Sequence, residues 1–342
     1  MTMARHVGAA LAAAVVIWAL SVSLSAFRDY QMADVAVYVV AIAGLTVLIG
    51  QSGQISLGNG AFMAIGAYAT ALLQLHLNWP LWALFPASAV IASVAGVAVG
   101  VAAARLRGPY LAGATLLLAV ALPYFATQFP GVFGGDQGLS VTVTAPAALG
   151  ATFPPTRWLA WVNAATALIV LVLLANLARS RIGRSWRAVR DDETAAALAG
   201  LNVARLRILA FVVSAACAGL AGAMLAVYSS QVSPGAFTVT LSIALLTGAV
   251  IGGLGSLVVV LVPTYVTDVA TSHGLSGAVA ANIPVAAYGV VLIAVMLIFP
   301  EGIQGGLRRF WGITPPAATT PLTRLTLRRR PPASEHQEEG TT

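Results

Sequence analysis

Long apolar runs, separated by short groups of charged, glycine or proline residues, dominate this chain. Residues 35–104 contain no Asp, Glu, Lys or Arg, and within 208–307 only Asp268 and Glu301 carry charge. A hydrocarbon core of roughly 30 Å is crossed by a helix of about 20 apolar residues, so each of these regions holds several crossings. The pattern predicts an all-α, polytopic membrane protein with about ten transmembrane helices, at 7–26, 34–50, 58–76, 81–104, 109–128, 158–178, 208–228, 238–251, 257–271 and 282–299.

The ends of this pattern and its shortest segments allow more than one interpretation. Segments 238–251 and 257–271 are short for a crossing, and they are broken or tilted helices or, together, one re-entrant element. The first segment, 7–26, is either a retained helix or a signal peptide that is removed. We expect residues 1–311 to form one transmembrane domain. Residues 312–342, rich in Pro, Thr and Arg, are expected to form a disordered cytoplasmic tail.

Composition supports a membrane protein and excludes a soluble nucleic-acid-binding domain. Hydrophobic residues make up 59% of the chain and charged residues 8%, where soluble domains carry about 25% charge. The mean hydropathy is +0.88. The net charge of +7 comes from arginines in a few clusters, with no soluble basic domain to carry nucleic-acid binding. The lipid bilayer is therefore the expected surroundings of most of the chain.

The arginines also predict how the chain is oriented. With ten crossings and a cytoplasmic N-terminus, the loop 179–207 with its seven arginines lies in the cytoplasm, together with Arg105, Arg107 and the arginines of the C-terminal tail. Cytoplasmic loops carry the excess of Lys and Arg, which agrees with this arrangement. We therefore expect a multi-pass protein of the cell inner membrane with both termini in the cytoplasm, and a long periplasmic loop at 129–157.

The loop 179–207 has a pattern of its own, ARSRIGRSWRAVRDDETAAALAGLNVARLR. Arginines recur at every third position, which places them along one face of a helix. Acidic residues follow where a helix N-terminus favours caps and negative charge. An alanine-rich run then ends at Gly200 and Asn202, a stop signal. The pattern predicts a short helix of two or three turns along the cytoplasmic surface.

Two interpretations of this loop remain. In the first, its arginines only set the orientation of the chain in the membrane. In the second, the segment is a docking element for a cytoplasmic partner. Orientation requires the arginines but not the acids, the alanines and the terminating glycine in that order, so the docking interpretation fits the pattern better.

A second unusual stretch, GQSGQISLGNGAF, places polar residues between two apolar runs. Gln51, Gln54, Ser56 and Asn59 lie there among glycines. The stretch is either a hydrated turn outside the hydrocarbon or a partly unwound segment that lines a pathway, because irregular backbone at membrane depth is tolerated only beside a cavity. GGLGS at 252–256 occupies a comparable place in the second half, which suggests an internal duplication.

Candidate catalytic chemistry is absent from the pattern. The four histidines are scattered, Cys217 is the single cysteine, and no zinc spacing, Walker A sequence or nucleophile elbow occurs, so no enzyme, metal site or cofactor is predicted. An ion-coupled secondary transporter would place ionisable residues near the membrane midplane, whereas Asp34, Asp268 and Glu301 lie near the ends of the predicted helices. A small-solute channel would explain the low charge but not the loop.

Several stretches resemble one known family. The loop 179–207, together with GQISLGNGAFMAIGAY, LRGPYLAGATL, FGGDQGL, FVVSAACAGLAGAMLAVYSSQVSPGAF and LIFPEGIQGGL, is similar in order and spacing to permeases of ABC importers for branched-chain amino acids. GQISLG and the G-P-Y-L-A run resemble the LivM-type more than the LivH-type subunit. Family members usually carry histidine where this chain has Asn59.

The resemblance implies a type II ABC-importer permease that performs no ATP hydrolysis itself. It implies four kinds of partner: two cytoplasmic ATPase subunits, a sister permease of LivH type, a periplasmic substrate-binding protein and the bilayer. An amide or urea carried by the same mechanism is the alternative substrate. The residues implied at the ATPase-coupling loop are Arg184, Arg187, Arg190, Asp191, Glu193, Ala195, Gly200 and Asn202, and those of the pathway lining are Gln51, Gln54, Ser56 and Asn59.

Overall fold

The computed structural model describes residues 26–106, 109–142 and 155–251, with the single positions 8, 266, 283, 286, 287, 289, 290, 293 and 294. Its helices are α1 (Ala26–Ser52), α2 (Asn59–Leu77), α3 (Leu81–Arg105), α4 (Pro109–Gln128), α5 (Pro130–Phe133), α6 (Pro155–Arg179), α7 (Arg181–Asp191), α8 (Glu193–Leu198), α9 (Val203–Ser229) and α10 (Val239–Ile251). Two 3-10 turns, Gly135–Gln137 and Pro234–Phe237, complete the helical structure of these regions. Strand β1 (Leu139–Ser140) pairs antiparallel with β2 (Gln231–Val232).

Six of the described helices are long and apolar enough to cross a membrane: α1, α2, α3, α4, α6 and α9. They confirm the predicted crossings at 34–50, 58–76, 81–104, 109–128, 158–178 and 208–228. The predicted crossings 7–26, 257–271 and 282–299, the GGLGS stretch and the tail 312–342 lie outside the described residues.

The main boundary errors of the prediction are at the starts of α1 and α9. Helix α1 includes residues from Ala26 onward, eight residues before the predicted start, and its Asp29 is buried against Arg157, whose Nε donates to Asp29 Oδ2 at 3.3 Å. Asp34 therefore lies about 12 Å along α1 rather than at its end. Helix α9 begins at Val203 because the side chain of Asn202 caps it.

Helix α9 is the centre of the fold and packs against α1, α2 and α3. Glycines allow the closest approaches between these helices. A methyl group on Gly222 would overlap the backbone carbonyl of Met63 in α2, and one on Gly96 in α3 would come within 2.5 Å of Ala215 Cβ. The backbones of α2 and α9 are thus in direct contact, which holds these two membrane helices at a fixed separation.

Helix α10 begins partway along α2 rather than beyond its end. The ring of Phe237, just before α10, lies 6.5 Å from the ring of Tyr68 in the middle of α2. The backbone N–H of Gly60 donates to Ser242 Oγ at 3.1 Å, so the first turns of α2 and α10 are neighbours. The described part of α10 has 13 residues and is about 20 Å long.

Candidate functional site

The patterned loop forms two helices, α7 and α8, where one was predicted. Asp192 separates them because its backbone is extended, with φ −155° and ψ 110°. Its Oδ1 accepts hydrogen bonds from the backbone N–H groups of Thr194 at 2.8 Å and Ala195 at 3.0 Å, which confirms an acidic cap at this point. The neighbouring acid, Asp191, instead pairs with Arg190 at 3.1 Å. We call α7 and α8 together, residues 181–198, the coupling segment.

The two predicted stop residues have different roles. Gly200 has a φ of +86°, a left-handed conformation that side chains disfavour, and its N–H donates to the carbonyl of Ala197 at 3.0 Å. It therefore ends α8, as predicted. Asn202 belongs to the next helix, since its Oδ1 accepts from the backbone N–H of Arg205 at 3.0 Å and caps α9.

The inner face of the coupling segment is apolar and buried. Gly183, Trp186 and Val189, spaced three apart, are buried on α7, and Ala196 is buried on α8. The side chain of Trp186 is fully buried, and its Nε1 donates to the carbonyl of Leu206 in α9 at 2.9 Å. Sequence analysis missed Trp186, although the three-residue spacing of apolar positions between the arginines was visible.

Three of the four arginines of α7 bond to the ends of membrane helices. Arg184 Nη1 donates to the carbonyl of Arg179 at 3.3 Å and Arg187 Nη1 to that of Ala178 at 3.2 Å, both in the last turn of α6. Arg190 Nη1 donates to the carbonyl of Gly50 in the last turn of α1 at 2.5 Å. The last four carbonyls of a helix lack intrahelical partners, and cations stabilise that end by about 0.3–1 kcal/mol each. The arginines therefore attach the coupling segment to α1 and α6.

Glu193 and Arg207 add a connection to α9. The carboxylate of Glu193, at the start of α8, accepts a hydrogen bond from Arg207 Nη2 and forms an ion pair with it. Arg207 was not among the predicted site residues, because nothing in its sequence neighbourhood shows that the acidic residue lies beside it.

The outer face of α8 is exposed. Thr194, Ala195 and Ala197 are exposed, and Leu198 is 86% exposed at the last position of the helix. A large apolar side chain held in solvent on a well-anchored helix is available for contact with another protein. Leu198 was also missed, because an apolar residue after an alanine run does not indicate by itself which way it faces.

The polar stretch between α1 and α2 contacts this segment directly. Gln51 Oε1 accepts from Arg187 Nη1 at 3.4 Å. Gln54 is 6% exposed, and its Nε2 donates to Ser52 Oγ at 2.9 Å and to the carbonyl of Arg207 at 3.3 Å. The structure therefore brings two predicted pathway residues, Gln51 and Gln54, together with the coupling segment.

The other two predicted pathway residues, Ser56 and Asn59, lie deeper. Ser56 is buried and its Oγ accepts from the N–H of Gly58 at 3.2 Å, while the N–H of Leu57 donates to Thr115 Oγ1 at 3.0 Å. Thr115 is six residues into α4, about 9 Å along it. The linker is thus non-helical backbone packed inside the bundle, which favours the partly unwound interpretation over a hydrated turn.

Asn59 is buried at the start of α2, and neither polar atom of its amide has a hydrogen-bond partner among the residues that the structure describes. Leaving buried polar groups unpaired costs about 1–3 kcal/mol each, so such a group points to water, a ligand or a role in function.

Comparison with known proteins identifies the family. Residues 27–300 match the family of permease components of branched-chain amino acid transport systems. The chain is 35% identical over 243 residues to the high-affinity branched-chain amino acid transport system permease protein LivM of Escherichia coli (strain K12), a match covering 64% of this chain and 57% of that protein.

Two further relatives match over more of their length. The chain is 25% identical over 284 residues to the permease protein LivH of the same kind of system in Salmonella typhimurium, and 29% identical over 294 residues to BraD of Pseudomonas aeruginosa. Both matches cover 78% of this chain and 91% of the relative. No solved structure matches the chain.

These matches confirm the resemblance seen in the motifs. The chain spans little more than half the length of the LivM proteins it matches, yet the family match extends over most of its own 342 residues. The chain is a multi-pass membrane protein that belongs to the family of branched-chain amino acid transport permease components, and within that family it is similar to LivM.

Proposed function

We propose that this chain is the membrane-spanning permease subunit of an ABC importer that carries branched-chain or related amino acids across the inner membrane. Two cytoplasmic ATPase subunits hydrolyse the ATP, a sister permease of LivH type completes the pore, and a periplasmic binding protein delivers the substrate. Both termini and the coupling segment lie in the cytoplasm. The observation that carries the proposal is that the coupling segment is bonded to α1, α6 and α9 while Leu198 faces outward.

Transmission of force follows from those bonds. An ATPase that binds the outer face of α8 moves α7 with it, because the single residue Asp192 joins the two helices and caps both of them. Through Arg190 and Arg187 the movement reaches the last turns of α1 and α6, and through Trp186 it reaches the first turns of α9. The permease supplies no covalent chemistry in this scheme; it converts movement at one end into rearrangement of the pathway.

The substrate pathway is proposed to run against the linker 53–58 and the start of α2. Asn59 supports this, since its unpaired amide is costly unless water or a polar solute can reach it. Gln54 and Ser56 form the inner part of the same lining. The substrate is identified by comparing uptake of leucine, isoleucine and valine with uptake of acetamide and urea. We expect the amino acids to be transported.

Replacing Gln54 and Ser56 together by alanine is expected to lower the rate of uptake at least several-fold. The double variant removes the side chain that bonds to the Arg207 carbonyl and the hydroxyl that accepts from Gly58. Uptake of radiolabelled leucine by cells carrying the complete transporter measures the effect. Membrane content of the chain and co-purification of the ATPases are the controls, and unchanged uptake at normal content contradicts the proposed lining.

Replacing Leu198 by aspartate is expected to abolish binding of the ATPase subunits. Leu198 is 86% exposed, so the change does not disturb the interior, but a carboxylate at the centre of an apolar contact loses its hydration on docking. Co-purification of the ATPases with the tagged permease from detergent measures the result, and uptake should be lost in parallel.

One control accompanies that experiment. Leu198→Met keeps an apolar side chain of similar volume and should retain the ATPases. Normal co-purification with Leu198→Asp would place the ATPase contact elsewhere and remove the coupling segment from the proposal.

A further inference from the structure

A cavity of about 380 Å³ lies where the coupling segment meets the membrane helices. Its walls come from the end of α1, the linker, the junction of α3 and α4, both helices of the coupling segment, and the start of α9. Small-molecule sites typically measure about 300–1,000 Å³, so the space suits a compact ligand. The proposed transport pathway runs against the linker that forms one of these walls, but no bound ligand has been assigned to the cavity itself.

Part of the cavity lining is polar and carries both signs of charge. Arg190 and Arg207 supply guanidinium groups, and Glu193 supplies a carboxylate. Gln54 also lines the cavity and is more than nine-tenths buried, and its Oε1 has no hydrogen-bond partner among the described residues. A buried acceptor of this kind gains stability when a donor from a ligand reaches it.

The cavity also has an aliphatic part. Ile55, Leu106, Leu111 and Val189 line it. A simple anion or cation would leave these surfaces without a partner and would meet a residue of its own sign. A zwitterion with an aliphatic side chain uses all three features: its carboxylate faces the arginines, its ammonium faces the glutamate and the unpaired amide oxygen, and its side chain covers the apolar wall.

We propose that this cavity binds a free α-amino acid with an aliphatic side chain, taken from the side of the membrane on which the coupling segment lies. The inference rests on the proposed function, because that function releases such amino acids there. The bound molecule bridges Arg190 and Glu193 of the coupling segment to Gln54 of the linker and Arg207 of α9. It therefore sits across the joint between the coupling segment and the membrane helices.

Protection of an introduced cysteine tests the proposal. Ile55 is 51% exposed and lines the cavity, so Ile55→Cys provides a thiol that a small maleimide can reach. The native Cys217 is buried in α9 and serves as a slow background. In the complete transporter in lipid nanodiscs, millimolar L-leucine or L-isoleucine should slow labelling at least threefold. Isovalerate, which lacks the ammonium, and isopentylamine, which lacks the carboxylate, should not.

Matched variants separate the cavity from other causes. Ala204→Cys, outside the cavity and exposed at the start of α9, should be labelled at the same rate with and without leucine. In Ile55→Cys combined with Gln54→Leu, labelling should persist and protection should be lost. Equal protection by isovalerate would overturn the amino-acid assignment, and protection that survives Gln54→Leu would overturn the site.

Failure of the inference and failure of the proposed function are distinguishable. Leucine uptake is measured with the transporter that retains Ile55, reconstituted in the same way. Uptake without protection overturns the cavity site and leaves the transporter assignment standing. Protection without ATP-dependent uptake supports an amino-acid site here and contradicts the importer.

Discussion

Replacing Gly222 by valine is expected to remove the folded permease from the membrane. A Cβ at this position would overlap the backbone carbonyl of Met63, and backbone cannot move aside as the end of a flexible side chain can. Overpacking of a core with side chains costs about 1–3 kcal/mol, and a backbone overlap at the central α2–α9 contact should exceed that range. Fluorescence-detected size-exclusion chromatography of a tagged chain should show the monodisperse peak reduced to less than a tenth.

The matched control for this prediction is Gly113→Val in α4. A Cβ at Gly113 meets nothing within 4 Å, and the residue is exposed, so the same substitution in another membrane helix should leave the peak intact. A normal peak for Gly222→Val would mean that α2 and α9 are separated by more than the structure gives, and the packing around α9 would have to be revised.

Replacing Trp186 by alanine is expected to abolish uptake while most of the permease stays folded. Truncation of a fully buried tryptophan costs about 3–5 kcal/mol, and here it also removes the hydrogen bond to the Leu206 carbonyl. This loss of stability weakens the contact between α7 and α9, so the coupling segment should unfold locally. Hydrogen exchange should rise across residues 181–198, and leucine uptake should fall at least tenfold.

The conservative variant Trp186→Phe separates packing from hydrogen bonding. It keeps an aromatic ring against α9 but lacks the donor, whose net contribution is about 0.5–1.5 kcal/mol, so uptake should fall much less. Wild-type exchange and uptake for Trp186→Ala would contradict the view that the coupling segment works through its attachment to the membrane helices.

Local patterns predicted most of the described fold. The crossing 109–128 agrees with α4 at both ends, because apolar composition decides whether a segment can stand in lipid. The start of α1 was placed too late because Asp29 and Asp34 broke the apolar run. The burial of Asp29 depends on Arg157, a partner 128 positions away along the chain, which no local pattern could reveal.

The candidate site was predictable in its location but not in its contacts. Spacing alone placed three arginines on one helical face, and α7 bears this out. That these arginines turn toward carbonyls at the ends of α1 and α6, and that Gln51 and Gln54 meet the same segment, follows from tertiary packing. The sequence therefore predicted each of the two polar regions separately, and only the folded structure shows that they are in contact.

Helices α1 and α6 are tied together at both extremities: at one by the arginines of α7, and at the other by the ion pair of Asp29 and Arg157. Because the two helices are joined at both ends, we expect them to move together as one rigid body. The 27 residues of α1 form a rod about 40 Å long, so a pivot of roughly 10° displaces its far tip by about 7 Å. Under the proposed mechanism, a small movement of the coupling segment therefore produces a displacement of this size at the other end of α1.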